Sequence, residues 1–398
     1  MSMRVRNLKL FIAVGALLCL GTNAGLGQSS VGQFHKVFAD ATNVGALEQG
    51  QPVVRLLPTQ DRREVAVCGL VDLQVTADVF LKSFREGMVR KSNPAILEIG
   101  SFSREPKADD LQSLTFENRD IEDLKECIVG NCKLKLSAAM IERLQKEVDW
   151  QAADYKSRAA QLLKLMLLDY VRDYLQRGDV ALIRYNDKTN EVRLAEEQQA
   201  LMAGSTSTHD ILSELPHTSE PEIAIVENTI VWSKIKYGLK PVIAINHLII
   251  YKGNEKSGPQ ILIVSKQIYA NHYFGSSLAL TAFGSIPGLS SGSYLFYENR
   301  SRLDGLTGVF GKIKRGIVED QAVDGLKTIL EKSKVSLNAH ALSPIESETS
   351  PGVRETLRLR LIGGIRRFVW LFLITAFVAW LALSNSNWKG RVEGRVRH

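Results

Sequence analysis

The fold is decided by the stretch Pro241-Val-Ile-Ala-Ile-Asn-His-Leu-Ile-Ile-Tyr-Lys252. In a β-strand successive side chains point to opposite faces of the sheet, and in this stretch both alternating series are apolar. One series comprises Ile243, Ile245, His247, Ile249 and Tyr251, and the other comprises Val242, Ala244, Asn246, Leu248 and Ile250. The pattern therefore predicts a strand covered on both faces.

Further strands follow this one along the chain. Residues 252–259 form a polar hairpin loop, and Ile261–Phe274, Ser277–Ile286 and Ser293–Asn299 continue an antiparallel run. A glycine-containing helix is then predicted from about Asp304 to Leu337. These segments predict a sheet with a long helix at its end.

The region before Pro241 combines strands with a helical segment. Strands are predicted at Pro52–Leu57, Glu64–Val75 and Ala95–Phe102, with a helix that begins after the N-cap residue Thr76. Residues 107–228 change to helical periodicity, including a helix from about 152 to 178 with a wide apolar face. Such a face has to pack against another part of the protein.

The N-terminus has the pattern of a secretory signal peptide. A basic start is followed by the apolar run Leu10–Leu20 and by small residues up to Gly27. Cys19 lies inside the apolar run without a small residue before it, which disfavours lipidation. We predict a signal peptide over residues 1–27.

The C-terminal region contains a charge-free run of sixteen residues, 368–383. Flanking arginines, three tryptophans and a basic tail favour a transmembrane helix over residues 366–385; a buried core helix is the alternative. With an exported N-terminus, this arrangement predicts an extracytoplasmic body, periplasmic in a Gram-negative cell, and a cytoplasmic tail at 386–398.

The charge distribution argues against a nucleic-acid-binding protein. The net charge is +7, but residues 1–27 carry +3 and residues 354–398 carry +7, so the body carries −3. A basic face on the body is therefore not expected. The composition, with 45% hydrophobic and 23% charged residues, is that of a globular protein.

Cys127 and Cys132 enclose a short loop that contains Gly130-Asn131. In an oxidising compartment this spacing favours a local disulfide. Free thiols, a metal knuckle and a redox pair are the alternatives, although nearby metal ligands are missing and redox pairs usually have two intervening residues.

The densest polar and aromatic stretch is Ser265–Phe274, and it supplies the candidate ligand-binding residues Lys266, Tyr269 and His272, with His247 on the neighbouring strand. Strict alternation places Lys266 and His272 on one face and Tyr269 on the other. The alternative is a half-solvated strand with no ligand. No hydrolase motif and no complete phosphate loop are present. We therefore expect no catalysis, no metal and no cofactor.

The order of these elements resembles the START and polyketide-cyclase superfamily. Gly69-Leu-Val-Asp-Leu-Gln-Val-Thr-Ala-Asp-Val-Phe80 is similar to its first strand and helix, and Tyr294-Leu-Phe-Tyr-Glu-Asn-Arg-Ser-Arg302 is similar to its last strand. The resemblance covers about 200 residues. Separately, the stretches Cys127–Leu136 and Ser265–Phe274 resemble those of uncharacterised exported bacterial proteins. The resemblance to the superfamily implies a curved antiparallel sheet that wraps a long C-terminal helix around an apolar cavity.

These observations together predict an α+β fold of the START type with a large helical insertion and a C-terminal transmembrane helix. The predicted segments are 1–27 (signal peptide), 28–106 and 229–338 (core), 107–228 (insertion), 339–365 (linker), 366–385 (membrane helix) and 386–398 (tail). The predicted function is binding of a lipid or another apolar small molecule, with the membrane as the other partner. The alternative is a structural or protein-interaction module of the cell envelope.

Overall fold

The structure is a computed structural model, and it describes residues 47, 49–88, 93, 95–204, 224–236, 240–253, 259–285, 292–308 and 310–341. Its strands are β1 (Val53–Leu56), β2 (Glu64–Leu73), β3 (Ile96–Ser101), β4 (Arg184–Tyr185), β5 (Val192–Arg193), β6 (Ala224–Ile235), β7 (Val242–Lys252), β8 (Ile261–Ala270), β9 (Phe274–Gly284) and β10 (Ser293–Leu303). Its α-helices are α1 (Ala77–Arg85), α2 (Asn118–Leu124), α3 (Ala138–Glu147), α4 (Tyr155–Arg177), α5 (Leu194–Ala203) and α6 (Gly311–Ala341).

Eight of the strands form one antiparallel sheet, in the order β1-β2-β10-β9-β8-β7-β6-β3. The remaining two, β4 and β5, form a small hairpin. Within the described residues, β1 and β3 are therefore the edges of the large sheet. Strand β3 is shorter than its neighbour β6, so it pairs with only part of that strand.

Local signals set the limits of several helices. The side chain of Thr76 accepts a hydrogen bond from the backbone N–H of Val79 and so caps α1. Ser137 caps α3 in the same way through Met140. Helix α4 ends at Gly178, where φ is +60°, a conformation that glycine adopts without a side-chain clash.

One face of the sheet packs against α1 and α6. Phe80 of α1 stacks on Phe283 of β9 with ring centroids 4.6 Å apart. Helix α6 approaches β2 so closely that a Cβ at Gly69 would lie 2.6 Å from Leu330 Cδ1. Glycine at this position allows the helix and the sheet to pack in direct contact.

The opposite face is covered by the chain between β3 and β6. Helices α2, α3 and α4 bury the side of the sheet formed by β6, β7 and β8, including Trp232, Ile245 and Tyr269. Helix α5 packs on β9 and β10. As the apolar pattern of β7 predicts, this strand is covered on both sides.

A buried group of charges lies on the α5 side of β10. The Arg300 guanidinium contacts Glu64 at 2.7 Å and Glu298 at 2.8 Å, and all three side chains are almost fully buried. Burial raises the pKa of Glu64, although Arg300 opposes this effect. The three side chains form ion pairs with one another, and none of them is exposed to a ligand.

Cys127 and Cys132 form a disulfide, as predicted. The loop that it closes packs on residues 186–188, because Gly130 N–H donates to the Asn186 carbonyl and Cys132 N–H donates to the Asp187 carbonyl. Cys68 is a free, buried cysteine. The disulfide therefore closes a local loop, and backbone hydrogen bonds attach this loop to Asn186 and Asp187.

We expect Cys127 and Cys132 to resist alkylation in protein isolated from its native compartment until a reductant is added. Cys68 should react only after unfolding, because its thiol is buried. Mass spectrometry after differential alkylation measures both properties. Modification of Cys127 and Cys132 without reduction would contradict the disulfide.

The predicted fold class is corrected by the structure. Within the described residues, no helix is both long and apolar enough to cross a bilayer. The two longest helices, α4 and α6, carry charged residues along their whole length. The described chain is an α+β fold with a large antiparallel sheet and six α-helices. The predicted segments 1–27, 366–385 and 386–398 lie outside the described residues.

Candidate functional site

Lys266 and His247 lie opposite each other on β8 and β7, on the face toward the helical layer. Lys266 forms an ion pair with Asp179. His247 Nε2 donates to Asn228 Oδ1 at 2.7 Å, and its Nδ1 accepts from the Tyr174 hydroxyl at 2.8 Å. Both predicted ligand-binding side chains thus have partners within the protein.

Burial, followed by the positive charge of Lys266, lowers the pKa of His247 from 6.5 to about 4. Because the folded state favours the neutral ring, the stability that this site contributes is complete above pH 6.5 and is lost as the pH falls through 4. We expect NMR titration of the imidazole to give a pKa near 4. A value near 6.5 would show that the ring is open to solvent.

Tyr269 is buried among aromatic rings of the helical layer. Its ring centroid lies 6.5 Å from that of Tyr170 and 6.2 Å from that of Tyr185. Burial raises the pKa of Tyr269 well above its usual value. The side chain packs the helical layer against the sheet.

His272 lies in the turn between β8 and β9, away from Lys266 and His247. Its Nε2 is 2.9 Å from Asp120 Oδ2, and Lys240 Nζ contacts the other oxygen of Asp120 at 2.7 Å. Burial alone would raise the pKa of Asp120, but the hydrogen bonds and charges of His272 and Lys240 outweigh burial and lower it. The structure therefore places two of the four predicted residues together and the other two in separate contacts. Their binding of a ligand stays a prediction.

A small cavity lies between the sheet and helices α1 and α6. Within the described residues, the cavity bordered by Phe80, Phe84, Tyr297 and Leu326 has a volume of about 20 Å³. Such a volume is enough for about one water molecule. It is far below the several hundred Å³ of a typical small-molecule site.

Three buried polar side chains nevertheless lie on this α6 side of the sheet. Asn246 and Gln267 are paired across β7 and β8, and Ser265 is paired with Leu248 one row away. No hydrogen-bond partner is present for four of their polar atoms: Asn246 Nδ2, Asn246 Oδ1, Gln267 Oε1 and Ser265 Oγ. Buried polar atoms usually have hydrogen-bond partners, so these three side chains are an unusual feature of the interior.

A much larger space lies at the β3 edge of the sheet, and we call it the edge groove. Its volume is about 1010 Å³. It is lined by Ile99–Arg104, Lys107, Asp109, Asp110, Ser113, Leu175 and Glu227–Ile230. The groove thus lies between the end of β3, the first half of β6 and the C-terminal part of α4.

Glu227 is the buried charged residue of the edge groove. Its Oε2 accepts a hydrogen bond from Arg85 Nε at 3.1 Å, and its side chain is only 8% exposed. Its second oxygen, Oε1, is buried without a hydrogen-bond partner. Burial raises the pKa of Glu227, and the ion pair with Arg85 opposes this rise.

Neither the edge groove nor Glu227 was predicted from the sequence. The groove exists because β3 ends at Ser101 while β6 extends seven residues further, to Ala224. Ile225 and Val226, at the start of β6, are apolar residues exposed beside this edge. Their exposure could have indicated the groove, but it cannot be read from the sequence.

Comparison with protein-family models gives no match, and comparison with curated proteins gives none. The resemblance to the START superfamily therefore stays a prediction.

Proposed function

We propose that this chain is a non-enzymatic protein-interaction module whose edge groove binds a partner. The observation that carries the proposal is the contrast in volume between the edge groove, about 1010 Å³, and the interior cavity, about 20 Å³. The groove is large enough for a segment of another protein, whereas the cavity beside Phe80 and Tyr297 has room for about one water molecule.

The contacts of the predicted site residues also support an interaction role. Lys266, His247 and His272 each contact another side chain of the protein. Those side chains join the helical layer to the sheet, so they stabilise a rigid body that presents the groove. The disulfide at Cys127 and Cys132 supports our further proposal that the body is extracytoplasmic, because disulfides persist in oxidising compartments.

Site-specific photocrosslinking in the native cell tests this proposal. A photoreactive residue in place of the exposed groove residue Asp109 should give one identifiable protein adduct. The same residue in place of the exposed Lys332 on α6 should not. The adduct should disappear when Leu175→Arg adds a charged side chain at the groove wall. Absence of a groove-dependent adduct would contradict the proposal.

Binding of a small molecule in the interior is the second candidate function. The unpartnered atoms of Asn246, Gln267 and Ser265 favour it, since a ligand that both donates and accepts hydrogen bonds could satisfy them. Native mass spectrometry of the purified full chain tests this candidate directly. A small molecule released only on denaturation would support interior binding, and a mass equal to that of the protein alone would contradict it.

A further inference from the structure

We propose that one end of the molecule docks on an anionic lipid surface through two exposed apolar tips and the basic side chains around them. We call this surface the basic end, and it comprises Arg62, Lys188, Lys236 and residues 127–133, 304–308 and 310–314. It lies where β6 and β8 finish and where β7 and β9 begin. The edge groove borders residues 227–230 in the first half of β6, so the basic end is a separate surface.

The first tip is a turn closed by the disulfide between Cys127 and Cys132. Ile128 and Val129 at its head are 60% and 45% exposed. The backbones of Ile128 and Asn131 exchange hydrogen bonds of 3.1 and 2.9 Å across the turn. The disulfide and these hydrogen bonds fix the turn, so it holds two neighbouring apolar side chains in solvent.

The second tip lies between β10 and α6. Phe310 is 65% exposed, and Ile313, one helical turn later, is 42% exposed. Before them, Gly305 and Gly308 have φ values of +78° and +90°, a region that favours glycine. The chain therefore turns tightly into α6, and an aromatic and an aliphatic side chain remain on the surface at the start of the helix.

Contacts of two lysines place both tips at the same end of the sheet. Lys188 pairs with Asn131 of the first tip, and its Nζ lies 3.0 Å from Asp304 Oδ2 at the start of the second tip. Lys135 Nζ lies 2.8 Å from the same oxygen. The Lys135 N–H also donates to the Asn271 carbonyl in the turn between β8 and β9. The two tips are thus connected through a shared carboxylate.

Exposed basic side chains flank each tip. Lys133 follows the first tip and is 64% exposed, and Lys188 beside it is 58% exposed. Lys312 and Lys314 lie on either side of Ile313 in sequence, and both are exposed. Further exposed cations at this end are Arg62 and Lys236.

The charges of this end do not cancel. Four aspartates in and beside it are balanced by four lysines: Asp120, Asp123, Asp187 and Asp304 by Lys133, Lys135, Lys188 and Lys240. Four exposed cations remain, and none of them forms an ion pair within the described part of the chain: Arg62, Lys236, Lys312 and Lys314. The exposed Glu126 opposes one of these charges. The sum of −3 over the body hides this local positive excess.

The combination of apolar tips with lysines fits a lipid surface better than a protein partner. Single exposed apolar residues are common, but here two pairs of them lie on tight turns among lysines. Lysine is depleted in protein–protein interfaces. At a bilayer, by contrast, phenylalanine and isoleucine enter the boundary between headgroups and acyl chains, while lysines contact anionic headgroups. The charge and the exposed apolar side chains therefore both favour an anionic bilayer.

Photocrosslinking of the full chain in vesicles tests this proposal. A photoreactive residue replaces either Val129 or Phe310, and the vesicles contain phosphatidylcholine with about one-third phosphatidylglycerol. Both positions should form lipid adducts that mass spectrometry identifies. The matched control replaces Val335, which is 72% exposed near the other end of α6, and should form none.

Neutralising the lysines of the second tip then tests the role of charge. Lys312→Gln combined with Lys314→Gln should lower the yield of the lipid adduct at position 310 by about tenfold. Lys327→Gln combined with Lys332→Gln is the matched control, because it makes the same charge change at exposed positions of α6 outside the basic end. This control should leave the yield unchanged. Vesicles of phosphatidylcholine alone should lower the yield of the wild-type protein in the same way.

Several outcomes would overturn docking on an anionic bilayer. Lipid adducts at neither tip, or at only one of them, would show that this end does not lie on the membrane as a unit. Equal yields with and without phosphatidylglycerol would exclude a role for the lysines. An adduct between two protein copies at position 129 or 310 would identify this end as a contact between copies. None of these results affects the edge groove, whose crosslinking test uses position 109.

Discussion

The Asp120→Ala variant should lose about 1–3 kcal/mol of unfolding free energy, the cost of leaving a buried polar group without its hydrogen-bond partner. Asp120 is 1% exposed and contacts both His272 and Lys240. It joins α2 to the turn between β8 and β9, so its removal leaves the His272 side chain without this partner, whereas Lys240 keeps its contact with Asp123. Chemical denaturation monitored by fluorescence measures the loss.

Glu122→Ala is the matched control, because Glu122 lies on the same helix in an exposed ion pair with Lys156. Exposed pairs contribute about 0–1 kcal/mol.

The lowered pKa of Asp120 also sets the pH dependence. The stability that the ionised Asp120 contributes is complete above pH 3.8, its ordinary pKa, and is lost as the pH falls through the lower pKa of the folded state. The difference between the wild type and Asp120→Ala should therefore decrease in acid. A variant as stable as Glu122→Ala would show that this junction does not hold the two layers together.

The Asn246→Leu variant should be more stable than the wild type by about 1–3 kcal/mol. Asn246 is completely buried, and neither polar atom of its amide has a partner. Leucine has a similar size and removes the desolvation cost of the amide. Thermal and chemical denaturation of the purified chain measure the gain.

Asn271→Leu provides the opposite control. Asn271 is also buried, but its Oδ1 accepts a hydrogen bond from the Ile243 N–H at 2.8 Å. Replacing it leaves that N–H unpaired and should lower stability by a similar amount. If Asn246→Leu is instead destabilising and the wild type carries a bound small molecule, the interior is a ligand site and the second candidate function replaces the first.

The limits of the elements were largely predictable from local sequence. The strand predicted at Pro241–Lys252 is β7 at Val242–Lys252, and the helix predicted from Thr76 is α1 with Thr76 as its N-cap. The helix predicted from about 152 to 178 is α4 at Tyr155–Arg177, and Gly178 ends it, as expected of a glycine after the last helical residue. These features depend on periodicity and on caps, which short stretches of sequence encode.

The grouping of the site residues was not predictable, because it depends on a bulge. Strict alternation separates Lys266 from Tyr269 and places Lys266 with His272. In the structure the β7–β8 register shifts at Ile268, so Lys266 and Tyr269 both face the helical layer. Strand β8 then ends at Ala270, and His272 lies in a turn whose partner, Asp120, belongs to a distant part of the chain. The sequence shows no local signal for either feature.

The order of strands in the sheet has a consequence for folding kinetics. Strand β2 near the start of the described chain pairs with β10 near its end, with Val67 opposite Asn299. Folding slows as contacts join residues farther apart in sequence, because loop closure has to precede the contacts that stabilise it. Until β10 arrives, β2 and β9 each lack their shared neighbour and present open edges. A chain emerging N-terminus first would therefore complete its sheet only after β10 has emerged, and aggregation would compete with folding during that interval.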